Sequence, residues 1–240
     1  SPHPAPRVVP VPVRQLRVPL RAKFDSAQTT PENRRHWASA DGLSPNAAIR
    51  PEIRRVLRNR SRYEVANNSY ARGIILTLAN DTIGTGPRLQ MLLNDPATNR
   101  QIEAAFGQWA DAIGLADKLR TMRMARADSG EAFGVFTNNP FLKTPVKLDF
   151  KPLEADQVAT PYGGWFDPRQ IDGIVFDSFG NPIEYHVLKA HPGDALAWAF
   201  TPMDFDRVPA EAVIHYFRTD RPGQRRGIPE ITPALPLFAQ

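Results

Sequence analysis

The sequence predicts an α+β fold in which a Pro-rich arm precedes a helical region and then a mainly antiparallel β region. Three observations carry this prediction. Apolar residues recur at helical spacing between about residues 49 and 125, as in Ile49, Ile53, Val56 and Leu57. From Gly130 the period drops to two, as in Val146-Lys147-Leu148-Asp149-Phe150. Helices come first and strands second, and this order separates α+β from an alternating, parallel-sheet architecture.

Composition narrows the class. The chain has 240 residues, 42% hydrophobic and 23% charged, enough for one large domain or two small ones with a core of useful size. The net charge of +5 suits a protein that works near a polyanion. The sequence has no Cys, which excludes disulfides, thiolate nucleophiles and Cys-ligated metals. No run of about 18 apolar residues exists, so no membrane span is expected.

The elements follow in order. Residues 1 to about 23 carry Pro every few positions with Arg interspersed, which forbids a helix and favours extended backbone. This stretch is expected to be a flexible arm, bounded at residues 1–27. Thr30-Pro31-Glu32-Asn33 signals a helix start, with the helix reaching about Ala40. Pro51-Glu52 opens a longer helix, and Tyr70, Ile74, Ile75 and Leu78 resume its apolar pattern. The polar stretch between predicts one long helix or two with a break. Gly84-Thr85-Gly86-Pro87 punctuates it, and Arg88 to Leu92 reads as a strand. A helix over Asn99–Ala112 points Ile102, Phe106, Trp109 and Ile113 inward, and Gly114 stops it. Ala116 to Ser129 repeats the theme with Leu119 and Met122.

Strands are predicted at Ala132–Phe136 and Val146–Phe150. A hairpin pairs Ile171–Phe176 with Ile183–Leu188 around Asp177-Ser178-Phe179-Gly180-Asn181-Pro182. Ala197–Thr201 is expected to be an edge strand, and Val213–Phe217 another strand. After a basic loop, Arg221 to Gly227, the run Ile228 to Leu235 begins an apolar helix. The sequence stops at Gln240 soon after, so the 28–240 domain is expected to be incomplete at its C-terminus.

Candidate chemistry is thin. Ser129 lies beside Asp128, and His186, His191 and His215 exist elsewhere, but no G-x-S-x-G elbow exposes a nucleophile. Asp204 and Asp206, and likewise Glu154 and Asp156, could share a strand face as metal ligands, yet neither pair has a third ligand nearby in sequence. Gly84-Thr85-Gly86 follows a helix and lacks the strand–loop–helix order of a phosphate cradle. No catalytic, cofactor-binding or metal residue is therefore assigned.

The strongest charge feature is the arginine stripe of Arg54, Arg58 and Arg62, opposite the apolar stripe of the same helix. It can meet a neighbouring subunit, stay solvated, or contact phosphates. These three residues are the candidate intersubunit or polyanion contacts. A basic nucleic-acid-binding module using the Arg50–Arg62 face is the alternative function.

Several stretches together resemble the lambda-type bacteriophage portal family. Asn59 to Gly73, with Arg60, Arg62, Asn67, Asn68, Tyr70, Ala71 and Gly73, is similar to that family's R-x-R-x-x-x-x-N-N-x-Y-A-x-G segment. It leads into Ile83-Gly84-Thr85-Gly86, similar to (I/V)-G-x-G. Trp109 within Phe106–Ile113, Met124 to Glu131, Leu153-Glu154-Ala155-Asp156, the 171–185 hairpin, and His215-Tyr216-Phe217-Arg218 leading to Arg221–Ile228 follow in the same order. The resemblance covers about residues 28 to 240 and leaves out the arm. It implies a structural, non-enzymatic subunit, in the wing part of a portal truncated before the stem and clip. It also implies a homo-oligomeric dodecamer at one capsid vertex, through which double-stranded DNA is packaged and ejected. The implied partners are the terminase motor, the major capsid protein and head-completion proteins, with no cofactor and no membrane. The implied location is the virion, and the host cytoplasm during assembly.

Overall fold

The computed structural model describes residues 24–161, 167, 169–194 and 204–239. Contacts divide the chain into two compact units at the Gly42–Leu43 junction. The Pro-rich stretch and the Ala197–Thr201 strand expectation lie outside the described residues.

In the first unit the Thr30 start signal is present. The Thr30 amide donates to Asn33 Oδ1 at 2.8 Å, and the Asn33 amide donates to Thr30 Oγ1 at 3.3 Å. The helix expected through Ala40 does not form, and residues 31–39 are a run of turns. The cause is a lack of packing: nothing there is buried, and a short helix without a buried face does not propagate.

The second unit opens with α1 (Pro45–Ala48), α2 (Pro51–Asn67) and α3 (Ser69–Ile83). Two helices with a break form, and Asn68 makes the break. Its side-chain oxygen accepts from the Tyr70 and Ala71 amides and caps α3. Residues 88–92 form no strand, because no partner strand among the described residues lies beside them. Instead the Met91 amide donates to Glu103 Oε1 at 2.8 Å, and Asn99 bonds both amide and carbonyl of Leu93. Helices α4 (Pro96–Ala112) and α5 (Leu115–Ser129) follow. Of the four α4-side residues expected inside, only Ile113 is fully buried, and Ile102 is exposed.

The β half holds β1 (Glu131–Asn138), β2 (Leu148–Glu154), β3 (Gln170–Ile171), β4 (Ile174–Phe176), β5 (Pro182–Leu188), β6 (Phe205–Pro209) and β7 (Val213–Phe217). They form two antiparallel sheets, ordered β2-β1-β7 and β3-β4-β5-β6. The expected Ile171–Phe176 strand is cut by a tight turn. Asp172 and Gly173 both take positive φ, 43° and 82°, so the chain reverses and β3 pairs with β4. Both sheets contribute to one core, with Phe133 and Leu153 from the first and Ile174 and Tyr185 from the second.

The C-terminal run belongs to the helical core. It forms a 3-10 turn, Thr232–Ala234, and then α6 (Leu235–Phe238). Ile231 and Leu235 pack with Val65, Ala71, Ile75 and Ala127. This segment enters through a backbone crossing at Gly130. Gly130 has φ of 91°, and a Cβ there would stand 2.5 Å from the Ile228 carbonyl carbon. Across the same crossing, a Cβ on Gly227 would stand 2.0 Å from the Gly130 oxygen. Only glycine allows the two backbones this close.

Candidate functional site

The crossing places Glu131, the first residue of β1, against Arg226 in the heart of the unit. Glu131 has no exposed surface and Arg226 is 1% exposed. The Arg226 Nε donates to both Glu131 oxygens at 2.9 Å, and its Nη2 lies 2.8 Å from Oε1. The Gly227 amide donates to Glu131 Oε2 at 3.0 Å. His215 Nε2 stands 2.9 Å from the same oxygen, with its ring stacked between Phe133 and Phe217. Arg226 also donates to the carbonyls of Val158, at 3.0 Å, and Ala155, at 3.2 Å, and reaches the carbonyl and carboxylate of Asp172. One guanidinium thus ties both sheets to the C-terminal run.

Helix α2 lays three more arginines onto this centre. Arg54 pairs with Asp172 and Arg58 with Asp156. Arg58 also lies 3.5 Å from Glu131 and donates to the Ser129 carbonyl at 3.3 Å. Arg62 reaches Glu154 at 3.0 Å and Asp156 at 2.9 Å, and donates to Ser129 Oγ at 3.0 Å. Four guanidiniums, Arg54, Arg58, Arg62 and Arg226, therefore face four carboxylates, Glu131, Glu154, Asp156 and Asp172. Burial tends to neutralise each group, and the pairing opposes it. Burial pushes the Glu131 carboxyl up, but Arg226 and His215 hold it well below the ordinary carboxylate range. Burial lowers Arg54 to about 9, with the neighbouring Arg226 charge adding to the effect. Burial lowers His215 more than the Glu131 hydrogen bond raises it, so the imidazole favours its neutral form.

The arginine stripe is thus inverted relative to the amphipathic pattern. Arg54 and Arg58 are 3% and 4% exposed, while Ile53 and Val56 on the expected inward stripe are 36% and 45% exposed. Arg62 sits at the rim, with its side chain 31% exposed. Within this chain Arg54 and Arg58 are internal ion-pair partners rather than a free face. The carboxylates of the β half were not legible as their partners. Asp172, Glu131 and Arg226 lie in stretches that carry the family resemblance, but nothing in those stretches pairs them, and only a fold brings residues 54, 131, 172 and 226 together.

The other sequence candidates fall as follows. Ser129 Oγ donates to Asp128 at 2.6 Å, whereas His215 sits on Glu131, so the two bond to different groups. His186 bonds Gln170 and Glu184 at 2.9 Å each. Asp204 pairs with Lys189 at 2.6 Å, and among the described residues no third ligand joins it and Asp206. Glu154 and Asp156 do gain a third ligand from a distant loop: their oxygens and His191 Nε2 lie within 4.8 Å of one another. Arg62 already bridges both carboxylates, so a cation entering there must displace a guanidinium. The basic loop 221–227 is tied down by Gln224, which bonds the Asp220 and Arg221 amides, and by Asn46, which bonds the Arg225 amide at 3.0 Å. No helix among the described residues is long and apolar enough to cross a membrane.

No curated protein matches the chain. One family of proteins, described as "Phage portal protein, lambda family", matches it over residues 30–240.

Proposed function

We propose that this chain, which belongs to the lambda family of phage portal proteins, is the subunit of a homo-oligomeric ring at a capsid vertex. Its role in that family is structural. The ring is a dodecamer through which double-stranded DNA is packaged and later ejected. It docks the terminase motor, the major capsid protein and head-completion proteins, resides in the virion, and assembles in the host cytoplasm. Residues 28–240 supply the wing, the outer body of the subunit, and residues 1–27 an arm outside it.

The family match over residues 30–240 is the observation that carries this reading. The ion network supports it. Its ionisable groups neutralise one another inside the fold instead of converging on an open pocket, as catalytic groups do. A network that joins α2, both sheets and the C-terminal run holds their relative placement. Buried ion pairs serve such placement better than they serve net stability. No catalytic step is assigned to Ser129 or His215.

Negative-stain electron microscopy of the purified protein tests the reading. Rings with a central hole are expected. A protein that stays monomeric, and binds duplex DNA with an affinity falling steeply with salt, would point instead to the nucleic-acid-binding alternative on the Arg50–Arg62 face.

A further inference from the structure

The carboxylate pair Glu154 and Asp156, which has no third ligand nearby in sequence, acquires one through the fold. Glu154 ends β2 of the first sheet, and Asp156 lies in the 3-10 turn Ala155–Gln157 that follows it. His191 comes from the loop after β5 of the second sheet. Its Nε2 stands 3.2 Å from Glu154 Oε2 and 3.8 Å from Asp156 Oδ2. The three ligand atoms all lie within 4.8 Å of one another. Bonds of about 2.0–2.2 Å to one tetrahedral ion set its ligands about 3.3–3.6 Å apart. Small side-chain rotations therefore close this cluster on an ion. Two of the three atoms are also unspent. Asp156 Oδ2 and His191 Nε2 are buried yet make no hydrogen bond among the described residues, although a buried polar atom ordinarily finds a partner.

We propose that Glu154, Asp156 and His191 form a divalent transition-metal site, with solvent as the fourth ligand. One imidazole nitrogen with two carboxylate oxygens suits Zn2+ or Co2+ rather than Mg2+ or Ca2+, which favour oxygen ligands. The Glu154 side chain is 57% exposed and gives the ion its entry. Two contacts yield to the ion. Arg62 places its guanidinium 3.0 Å from Glu154 and 2.9 Å from Asp156, and so competes as a cation for the same oxygens. It sits at the rim, and a half-exposed arginine can turn to solvent at little cost. The second contact is at the imidazole. The Gly193 amide donates to His191 Nδ1 at 3.0 Å, which puts the ring hydrogen of the neutral form on Nε2. A metal at Nε2 moves that hydrogen to Nδ1 and releases the amide. Once bound, the ion fastens the loop after β5 to the end of β2 and adds a junction between the two sheets. The site stands independently of the ring reading.

Co2+ is the probe, added to the full, untagged chain after dialysis against EDTA. The sequence has no Cys, so no thiolate competes for it. The visible absorption of four-coordinate Co2+ is expected, and Zn2+ should displace it. His191→Gln should abolish the band, whereas His36→Gln, at an exposed position in the first unit, should keep it. Arg62→Met should tighten Zn2+ about five- to tenfold in a competition titration, because it removes the cation that competes for both carboxylates. A variant that merely loosened the fold would bind more weakly. Nitrogen-15 NMR of the His191 ring should show its hydrogen moving from Nε2 to Nδ1 as Zn2+ is added. No band, a band that survives His191→Gln, a ring hydrogen that stays on Nε2, or Zn2+ binding weakened by Arg62→Met overturns the site.

Discussion

Glu131→Gln removes one negative charge from the most enclosed point of the fold while keeping the side chain's shape. Its carboxylate receives both contacts of Arg226, the Gly227 amide and His215, with Arg58 at 3.5 Å. The amide that replaces it turns an NH2 group toward these donors and leaves two buried guanidiniums short of a counter-charge. Breaking a buried pair from one side costs about 3–5 kcal/mol. At about 2–4 °C per kcal/mol for a domain of this size, the melting temperature should fall by roughly 6–20 °C. Glu154→Gln is the matched control, since its side chain is 57% exposed and its pairing with Arg62 sits at the rim. Exposed pairs contribute about 0–1 kcal/mol. The assay is urea denaturation followed by circular dichroism, with thermal melts alongside. The pH dependence has a definite sign. The folded Glu131 carboxyl is held well below its unfolded value near 4.5. Its contribution is therefore complete above about pH 4.5 and fades as pH falls toward the depressed folded value. The gap between wild type and Glu131→Gln should thus narrow in acid. A Glu131→Gln loss no larger than that of Glu154→Gln at pH 7, or a gap that widens in acid, would refute the reasoning.

Three further outcomes follow from the same geometry. Arg58→Met should lose about 3–5 kcal/mol in urea denaturation because it takes one of the guanidiniums from buried Glu131 and half-buried Asp156, whereas Arg60→Met, two positions along the helix but exposed, should stay within about 0.5 kcal/mol; equal effects would mean that Arg58 does not act as an internal ion-pair partner. Gly130→Ala should be far more damaging than Gly114→Ala: both have positive φ, costing about 1–2 kcal/mol for a side chain, but only at Gly130 does the added carbon meet backbone, at 2.5 Å. The His215 imidazole, whose affinity for a proton burial lowers, should be less than half protonated in an NMR titration at pH 6.5, its ordinary midpoint; a ring half-protonated or more there would contradict the burial argument.

What was legible in the sequence was local. Pro51 and Glu52 opened α2, Gly114 ended α4, and the hairpin around Gly180 and Asn181 formed, because each signal acts within a few residues of itself. The misreadings share one cause. Arg88–Leu92 looks like a strand but has no neighbour among the described residues to pair with. Ile171–Phe176 looks like one strand but contains an Asp-Gly turn that tertiary packing enforces, with the Gly173 amide held by Thr160 Oγ1 at 3.0 Å. The orientation of α2 follows from carboxylates 73 to 118 residues away, from Glu131 for Arg58 to Asp172 for Arg54, and no pattern within the helix encodes that distance. Of the apolar stripe expected inside, Leu57 packs against the helical core while Ile53 and Val56 face out, and the arginines expected outside, Arg54 and Arg58, are buried instead.

That inversion has a consequence for where the protein's charge resides. The ion network is balanced, four guanidiniums against four carboxylates, with His215 favouring its neutral form. The net +5 of the chain therefore arises entirely outside it. On α2 itself, the arginines left facing out are Arg50 at the cap, Arg55 and Arg60, interleaved with Ile53, Val56 and Tyr63. A helix that buries Arg54 and Arg58 and exposes Ile53, Val56 and Tyr63 forgoes part of the hydrophobic stabilisation an ordinary amphipathic helix gains. The exposed side chains recover that term only when another surface covers them. The inward arginines fix the pose of α2 against both sheets, and so the same contacts that hold the subunit's interior also hold its outward apolar stripe at one angle.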